Sequence, residues 1–158
     1  MTAFDLRPVG YDHPDAAMLV AQVQQEYVER YGSPDGDAPD VAAFRLPAGL
    51  FLVGYLDGAP VATGAWRVSP IRELGGSSAV EIKRMYVVPG ARRGGLARLL
   101  LTELERTAAA AGHDLAVLTT GPRQPEAIAL YRAHGYHPIP GFGYYAGEPG
   151  LHAFGKLL

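Results

Sequence analysis

The sequence predicts a single mixed α/β domain, and three observations lead to that class. The chain has 158 residues, which is enough for one domain with a sizeable core and too few for two ordinary domains. Its apolar residues alternate with a period of two in several short runs and recur at helical spacing in others. In the second half a strand, a helix and another strand follow one another, an order that favours a parallel strand pair.

The first half is predicted to form a strand, a helix and a β-hairpin. Phe4 to Val9 is the strand, and Asp12-His13-Pro14-Asp15 is a helix start because proline and acidic residues favour a first turn. The helical spacing continues to Gly32, where an acidic loop, "GSPDGDAPD", runs to Asp40. Two β-rich runs flank Asp57-Gly58, a dipeptide that strongly favours a hairpin turn.

The second half is predicted to contain two helices between strands. Ala79 to Val88 is a strand, and the helix after it ends at Gly112. The inward side of this helix is predicted to consist of Leu96, Leu99, Leu100, Leu104, Thr107, Ala108 and Ala111. The remaining elements are a strand from Asp114 to Thr120, a helix from Pro125 to His134 ended by Gly135, and strands at Tyr136 to Ile139 and Leu151 to Leu157.

Composition excludes several functional classes. A content of 48% hydrophobic and 19% charged residues is typical of a soluble globular protein, and a net charge of -2 gives no basic field for a nucleic-acid partner. The absence of cysteine excludes disulfides, thiolate metal sites and a cysteine nucleophile. The N-terminus has no apolar leader region and no run reaches the roughly 18 apolar residues of a membrane span, so we expect a cytoplasmic protein with no membrane partner.

A glycine- and arginine-rich turn is the first candidate binding site. In "VVPGARRGGLARLL", Arg92-Arg93-Gly94-Gly95 lies between a strand and the start of a helix. Such a turn exposes backbone N–H groups at a helix N-terminus and adds positive charge, which together suit a phosphate-bearing ligand. The turn matches neither the dinucleotide-binding pattern G-x-G-x-x-G nor the P-loop pattern G-x-x-x-x-G-K-[ST].

The order Arg92-x-x-Gly95-x-Ala97, directly after the strand "EIKRMYVVP", resembles the acyl-CoA-binding turn of the GNAT superfamily of N-acyltransferases, Gln/Arg-x-x-Gly-x-Gly/Ala. The later stretch "AIALYRAHGY" is similar to the Leu-Tyr helix of that family, and together the two matches cover Ala79 to Tyr136. The resemblance implies one domain over residues 1–158, with a central mixed, mostly antiparallel sheet that is splayed at the acyl-CoA site. It also implies acetyl-CoA as acyl donor and no metal.

The same resemblance implies the coenzyme-binding residues. They are Met85, Val87, Arg92, Arg93, Gly94, Gly95, Leu96, Ala97, Arg98 and Gln124. In the family the backbone N–H groups of the turn bind the pyrophosphate, while pantetheine pairs with the free edge of the preceding strand. Val87 would then direct its N–H to the thioester oxygen, where negative charge develops. Gln124 stands where many members have asparagine.

Two catalytic residues are implied, each with a structural alternative. Tyr131 corresponds to the tyrosine that protonates the leaving thiolate, and the alternative is a half-buried tyrosine packing beside Leu130. Strand alternation places Glu81, Lys83, Met85 and Val87 on one face, so Glu81 shares the face of the acyl site and is a candidate base for the amine. The alternative is a Glu81 that only pairs with Arg84 or Lys83.

The predicted function is therefore an N-acetyltransferase that moves an acetyl group from acetyl-CoA to a primary amine of a small molecule or peptide by direct attack. A catalytically silent acyl-CoA sensor and a protein-interaction domain are the alternatives, and a homodimer is an open possibility. Asp35, Asp37 and Asp40 of the acidic loop would attract a cationic amine, or form an ordinary solvated face. The aromatic run "FGYY", Phe142 to Tyr145, would line the pocket or cap the core.

Overall fold

The computed structural model describes residues 3–37 and 40–158, so Ala38 and Pro39 of the predicted acidic loop lie outside the described residues. The strands are β1 (Phe4–Pro8), β2 (Gly49–Leu56), β3 (Ala59–Ser69), β4 (Ala79–Val87), β5 (Leu115–Thr120), β6 (His137–Pro138) and β7 (His152–Leu157). The α-helices are α1 (Pro14–Tyr31), α2 (Leu96–Ala110) and α3 (Pro125–Ala133), and two short 3-10 helices span Val41–Phe44 and Pro89–Ala91.

The described strands form one seven-stranded sheet with the order β1-β2-β3-β4-β5-β7-β6. Only the β4–β5 pair in this order is parallel, and the other neighbours are antiparallel. The mixed, mostly antiparallel sheet predicted from the sequence is therefore confirmed. So is the parallel pair, because α2 carries the chain from the end of β4 back to the start of β5.

The helices cover opposite faces of the sheet. Helix α1 packs with Phe51, Val53 and Tyr86 on one face, which we call the α1 face. Helices α2 and α3 pack with Trp66, Ile82 and other apolar residues on the opposite face. None of the helices in residues 3–37 and 40–158 is long and apolar enough to cross a membrane.

Strands β4 and β5 part after three residue pairs. Their pairing covers Ala79 to Glu81 on β4 and Leu115 to Val117 on β5, and the rest of each strand faces a gap. A β-bulge in β4 lies beside this gap: Arg84 and Met85 together oppose Gly64 of β3. Arg84 adopts a left-handed φ of 58°, and the Thr63 hydroxyl donates a 2.6 Å hydrogen bond to its carbonyl oxygen.

The bulge corrects the predicted alternation along β4. Ile82, Met85 and Val87 all pack toward α2 and α3, whereas the Glu81 side chain lies on the α1 face with its partner Arg67. The extra residue in the bulge shifts the alternation by one position, so Glu81 does not share the face of Met85 and Val87.

The inward side of α2 also differs from the prediction. Leu101 is fully buried, while Leu99 is 51% exposed. The buried stripe is Leu96, Leu100, Leu101, Leu104 and Ala108. It shares Leu96, Leu100, Leu104 and Ala108 with the prediction, and Leu100 and Leu104 contact the sheet at Gly64, where a Cβ would lie about 3 Å from their side chains.

Candidate functional site

A cleft of about 1220 Å³ opens at the gap between β4 and β5. It brings together most of the residues implied by the family resemblance: Met85, Val87, Arg92, Arg93, Gly95, Leu96, Ala97, Arg98, Gln124 and Tyr131. Gly94 and Glu81, which the sequence also predicts as site residues, are not among the residues that line it. Because ordinary ligand pockets measure roughly 300–1,000 Å³, this cleft has room for an extended ligand.

The glycine-arginine turn leaves backbone donors at the start of α2. Arg93 and Gly95 both adopt left-handed φ angles, 69° and 78°, and Gly95 is the N-cap of the helix. The first intrahelical hydrogen bond runs from the Leu99 N–H to the Gly95 carbonyl oxygen, and no described side chain caps the helix. The N–H groups of Leu96, Ala97 and Arg98 are therefore available to an anion at the positive end of the helix dipole.

Arg92 points away from these donors. Its Nε donates a 2.8 Å hydrogen bond to the Val87 carbonyl oxygen, and its Nη2 lies 2.8 Å from Glu26 Oε1 on α1. The guanidinium carbon is also 5.7 Å from the ring centroid of Tyr86. Two of the three guanidinium nitrogens of Arg92 are thus bound by protein groups, which the sequence pattern did not predict.

The edge of β4 that faces the gap carries the Val87 N–H. The Val88 N–H donates a 2.8 Å hydrogen bond to the Val61 carbonyl oxygen of β3. Successive residues of a strand direct their backbone groups to opposite edges, so the N–H of Val87 is directed away from β3 and toward the gap. The parting of β4 and β5 leaves this donor without a strand partner.

Tyr131 projects from α3 into the same region. Its side chain is 6% exposed, and its ring lies 5.6 Å from that of Tyr136 and 6.3 Å from that of Phe154. Its hydroxyl makes no hydrogen bond with any described residue, and burial raises its pKa above the usual 10. Burial likewise raises the pKa of Tyr27, a cleft residue on α1, to about 12. Both tyrosines therefore keep their protons at neutral pH.

Glu81 is held by an ion pair. Its Oε1 accepts hydrogen bonds from Nη2 and Nε of Arg67, at 3.0 and 3.2 Å. The partners considered from the sequence were Arg84 and Lys83, whereas the observed partner lies on β3 and depends on the register of β3 and β4. The role of Glu81 as a base stays a prediction.

The acidic segment after α1 forms a partly buried ion cluster with the sheet. Asp37 lies 2.7 Å from Arg67 and 3.0 Å from Lys83, and Asp35 lies 3.3 Å from Arg84. Although burial alone would raise it, the hydrogen bonds from Arg67 and Lys83 hold the pKa of Asp37 below its usual value. Because nearby cations already pair with these two carboxylates, Asp35 and Asp37 add no support to the expectation that the segment attracts a cationic amine, which stays a prediction.

The same segment crosses the cleft to the loop before β7. The Gly36 N–H donates a 2.8 Å hydrogen bond to the Tyr145 hydroxyl, which in turn donates to Asp35. Of the predicted aromatic run, Tyr145 lines the cleft, Phe142 packs beside buried residues of β4 and β5, and Tyr144 is exposed. The sequence predicted this aromatic run as a candidate pocket lining, but it did not predict the hydrogen bonds of Tyr145 with Asp35 and Gly36.

A second crossing links the end of α1 to the loop before α3. Arg30 donates to the Arg123 carbonyl oxygen at 2.8 Å, and Arg123 donates to the Arg30 carbonyl oxygen at 2.9 Å. The Tyr31 hydroxyl accepts 3.3 Å hydrogen bonds from the Arg123 N–H and from Gln124 Nε2. These contacts join α1 to the loop before α3, and both segments line the cleft. Among the described residues no three potential ligands converge on a metal position.

The chain is similar in sequence to known acetyltransferases. A family model described as the acetyltransferase (GNAT) family matches residues 20–136. An IAA acetyltransferase of Azospirillum brasilense is 33% identical over 131 residues, which cover 83% of this chain and 82% of the relative.

Two solved structures share the fold over nearly the whole length of both chains. A Klebsiella pneumoniae protein assigned as an acyl-CoA N-acyltransferase has 25% sequence identity and a TM-score of 0.76, with 98% of this chain and 97% of that chain covered. The PaiA N-acetyltransferase of Thermoplasma acidophilum, solved with coenzyme A, has 14% identity and a TM-score of 0.72, with 99% of each chain covered.

Proposed function

Since this chain belongs to the acetyltransferase (GNAT) family, we propose that it transfers the acetyl group of acetyl-CoA to a primary amine by direct attack in a ternary complex. The observation that carries the proposal is the convergence of three features on one cleft. These are the free N–H groups at the start of α2, the Val87 N–H at the edge of the gap, and the Tyr131 hydroxyl.

Binding of the donor is assigned to the turn and to the strand edge. The N–H groups of Leu96, Ala97 and Arg98 fit a pyrophosphate, because they have no intrahelical acceptor and lie at the helix N-terminus. The exposed side chains of Arg93 and Arg98 add charge. Pantetheine would lie in the gap along Met85 and Val87, with Gln124 on the opposite wall.

Transfer needs one bond to form and one to break. The amine nitrogen bonds to the acetyl carbon while the carbon–sulfur bond breaks, and the sulfur takes a proton as the amine loses one. The Val87 N–H would stabilise the negative charge that develops on the acetyl oxygen, an interaction worth about 3–4 kcal/mol in comparable sites. The Tyr131 hydroxyl would protonate the sulfur, because its raised pKa keeps the proton in place at neutral pH.

Removal of the amine proton is assigned to Glu81, acting through water. Its carboxylate lies on the α1 face and does not line the cleft, so direct contact with the amine is not assumed. Glu26 lines the cleft and is the competing candidate base, although Arg30 and Arg92 both pair with it.

The acceptor is proposed to be a small molecule or a peptide amine. Hydrogen bonds join α1 and the segment after it to the loops before α3 and β7, and residues of these segments line the cleft, so we expect them to contact the acceptor. The name of the Azospirillum relative adds IAA to the compounds worth testing. We further propose that the described residues act as one domain, since their first and last strands belong to one sheet, and that the protein acts in the cytoplasm.

The test is a thiol-release assay with acetyl-CoA and a panel of acceptors that contains polyamines, amino acids, aminoglycosides, peptides and IAA. Acceptor-dependent release of CoA with a mass increase of one acetyl group on an amine would support the proposal. Tight binding of acetyl-CoA without release on any acceptor would contradict it and would favour an acyl-CoA sensor.

A further inference from the structure

We propose that Arg92 is a positioning residue that holds the peptide unit after Val87, and that it is not a ligand for the phosphates of the donor. The inference rests on the proposed function, in which the Val87 N–H contacts the acetyl oxygen. It reverses the expectation from the sequence, where Arg92 belongs to the phosphate-binding turn.

Arg92 donates a hydrogen bond to the Val87 carbonyl oxygen. Both backbone groups of an extended residue point to the same edge of a strand, so the carbonyl of Val87 is directed to the gap together with its N–H. The parting of β4 and β5 leaves this carbonyl without a strand donor, and Arg92 Nε supplies one at 2.8 Å. The bond fixes the orientation of the residue that presents the proposed oxyanion donor.

The charge of Arg92 is paired with a carboxylate of α1. Glu26 lies 2.8 Å from Arg92, and Arg30 pairs with both Glu26 and Glu126, so a chain of alternating charges links the turn to α1 and α3. The ion pairs among residues 3–37 and 40–158 include Arg92 but neither Arg93 nor Arg98. The charge of Arg92 is therefore already matched, while the other two arginines remain available to phosphate.

Rotation of the Arg92 side chain toward the phosphates would cost free energy at both of its present partners. The Val87 carbonyl would lose its donor, and the Glu26 carboxylate would lose one of its two cations. A backbone group left without a partner costs about as much as a lost hydrogen bond. Phosphate binding by the free helix N–H groups carries no such cost, so the hydrogen bond from Arg92 to the Val87 carbonyl is kept when acetyl-CoA binds.

Three substitutions separate the two roles. Glutamine carries its Nε2 at the same bond position as arginine Nε, so Arg92→Gln retains the donor to Val87 and removes the charge. Arg92→Met has the length of the glutamine variant and removes both, while Arg92→Lys retains the charge and removes the donor at that position. Arg106→Gln is the control, since this exposed arginine on α2 pairs with Glu103.

Each variant is assayed with acetyl-CoA and with S-acetylpantetheine, a donor without phosphates. We expect Arg92→Gln to keep kcat within about threefold of the unmodified protein, and Arg92→Met to lose roughly tenfold in kcat with both donors, which corresponds to about 1.4 kcal/mol. Arg92→Lys should resemble Arg92→Met. A phosphate ligand would give the opposite pattern: Arg92→Gln and Arg92→Met would both raise the KM of acetyl-CoA, with S-acetylpantetheine unaffected, and that result would overturn the proposal.

A second readout is independent of activity. The ¹⁵N chemical shift of the Val88 amide reports the hydrogen bond to the Val87 carbonyl, because the two groups share one peptide unit. We expect Arg92→Met to move this resonance upfield and Arg92→Gln to leave it close to its original position. An unchanged resonance in Arg92→Met refutes the inference even if no acceptor turns over, so failure of the proposed function and failure of this inference are distinguishable.

Discussion

Replacement of Tyr131 by phenylalanine removes one oxygen from the proposed acid and leaves its packing intact. The ring keeps its edge contact with Tyr136 at 5.6 Å and its contact with Phe154 at 6.3 Å. The hydroxyl has no hydrogen bond to the described residues, so its removal breaks none among them, and we expect the free energy of unfolding to change by less than about 1 kcal/mol. If the hydroxyl protonates the sulfur, kcat should fall by roughly 10²–10⁴, which equals about 2.7–5.5 kcal/mol in the activation free energy.

The assay is thiol release at saturating acetyl-CoA between pH 6 and 9, combined with calorimetric affinity for acetyl-CoA. Because the pKa of Tyr131 is raised, the residue stays protonated over this range, and the ratio of the two kcat values should not vary with pH. Equal kcat values at every pH would show that Tyr131 is not the acid.

The same residue makes a prediction for stability. The pKa of Tyr131 is higher in the folded state than in the unfolded state, where it is about 10. Its contribution to the free energy of unfolding is therefore fully present below pH 10 and is lost as the pH rises above that value. The unmodified protein should therefore lose more stability than Tyr131→Phe between pH 9 and 11. Urea unfolding at a series of pH values measures this difference, and parallel curves would show that burial of Tyr131 does not control alkaline stability.

Three further substitutions test the rest of the site. Gly95→Glu should weaken acetyl-CoA binding at least tenfold, about 1.4 kcal/mol, because it places a side chain in front of the helix N–H groups at a position with a left-handed φ. Gly94→Ala is the control in the same calorimetric titration, because the added Cβ meets no described atom closer than the Ala91 carbonyl oxygen at 3.9 Å. Glu81→Gln should lower turnover most at low pH without changing acetyl-CoA affinity, and a wild-type pH profile would make Glu81 structural. Tyr145→Phe should lower the free energy of unfolding by about 1 kcal/mol for each hydrogen bond lost to Asp35 and Gly36, and an unchanged midpoint of urea unfolding would contradict this.

Much of the fold follows from local properties of the sequence. The turn at Asp57-Gly58, the helix start before Pro14 and the strand-helix-strand unit from Ala79 to Thr120 all depend on residues close together in the chain, and each is present in the structure. The glycine-arginine turn is likewise local, because the left-handed φ of Gly95 and the start of α2 need no distant partner.

Tertiary structure decided the features that depend on a partner distant in sequence. The bulge at Arg84 arises only when β4 pairs with β3, where Thr63 bonds its carbonyl and Gly64 admits the side chains of α2. That single extra residue reversed the predicted face of Met85 and Val87 relative to Glu81, because a strand with period two cannot absorb an insertion without turning its side chains over.

The direction of long charged side chains was also beyond the sequence. Arg92 lies in a motif typical of phosphate binding, yet its guanidinium reaches Val87 and Glu26, and Asp35 and Asp37 are matched by cations of the sheet. Composition and spacing determined which charges the chain carries. Which of them remain free to meet a ligand was decided by packing, because an ion pair forms only between groups that the fold brings within hydrogen-bond distance.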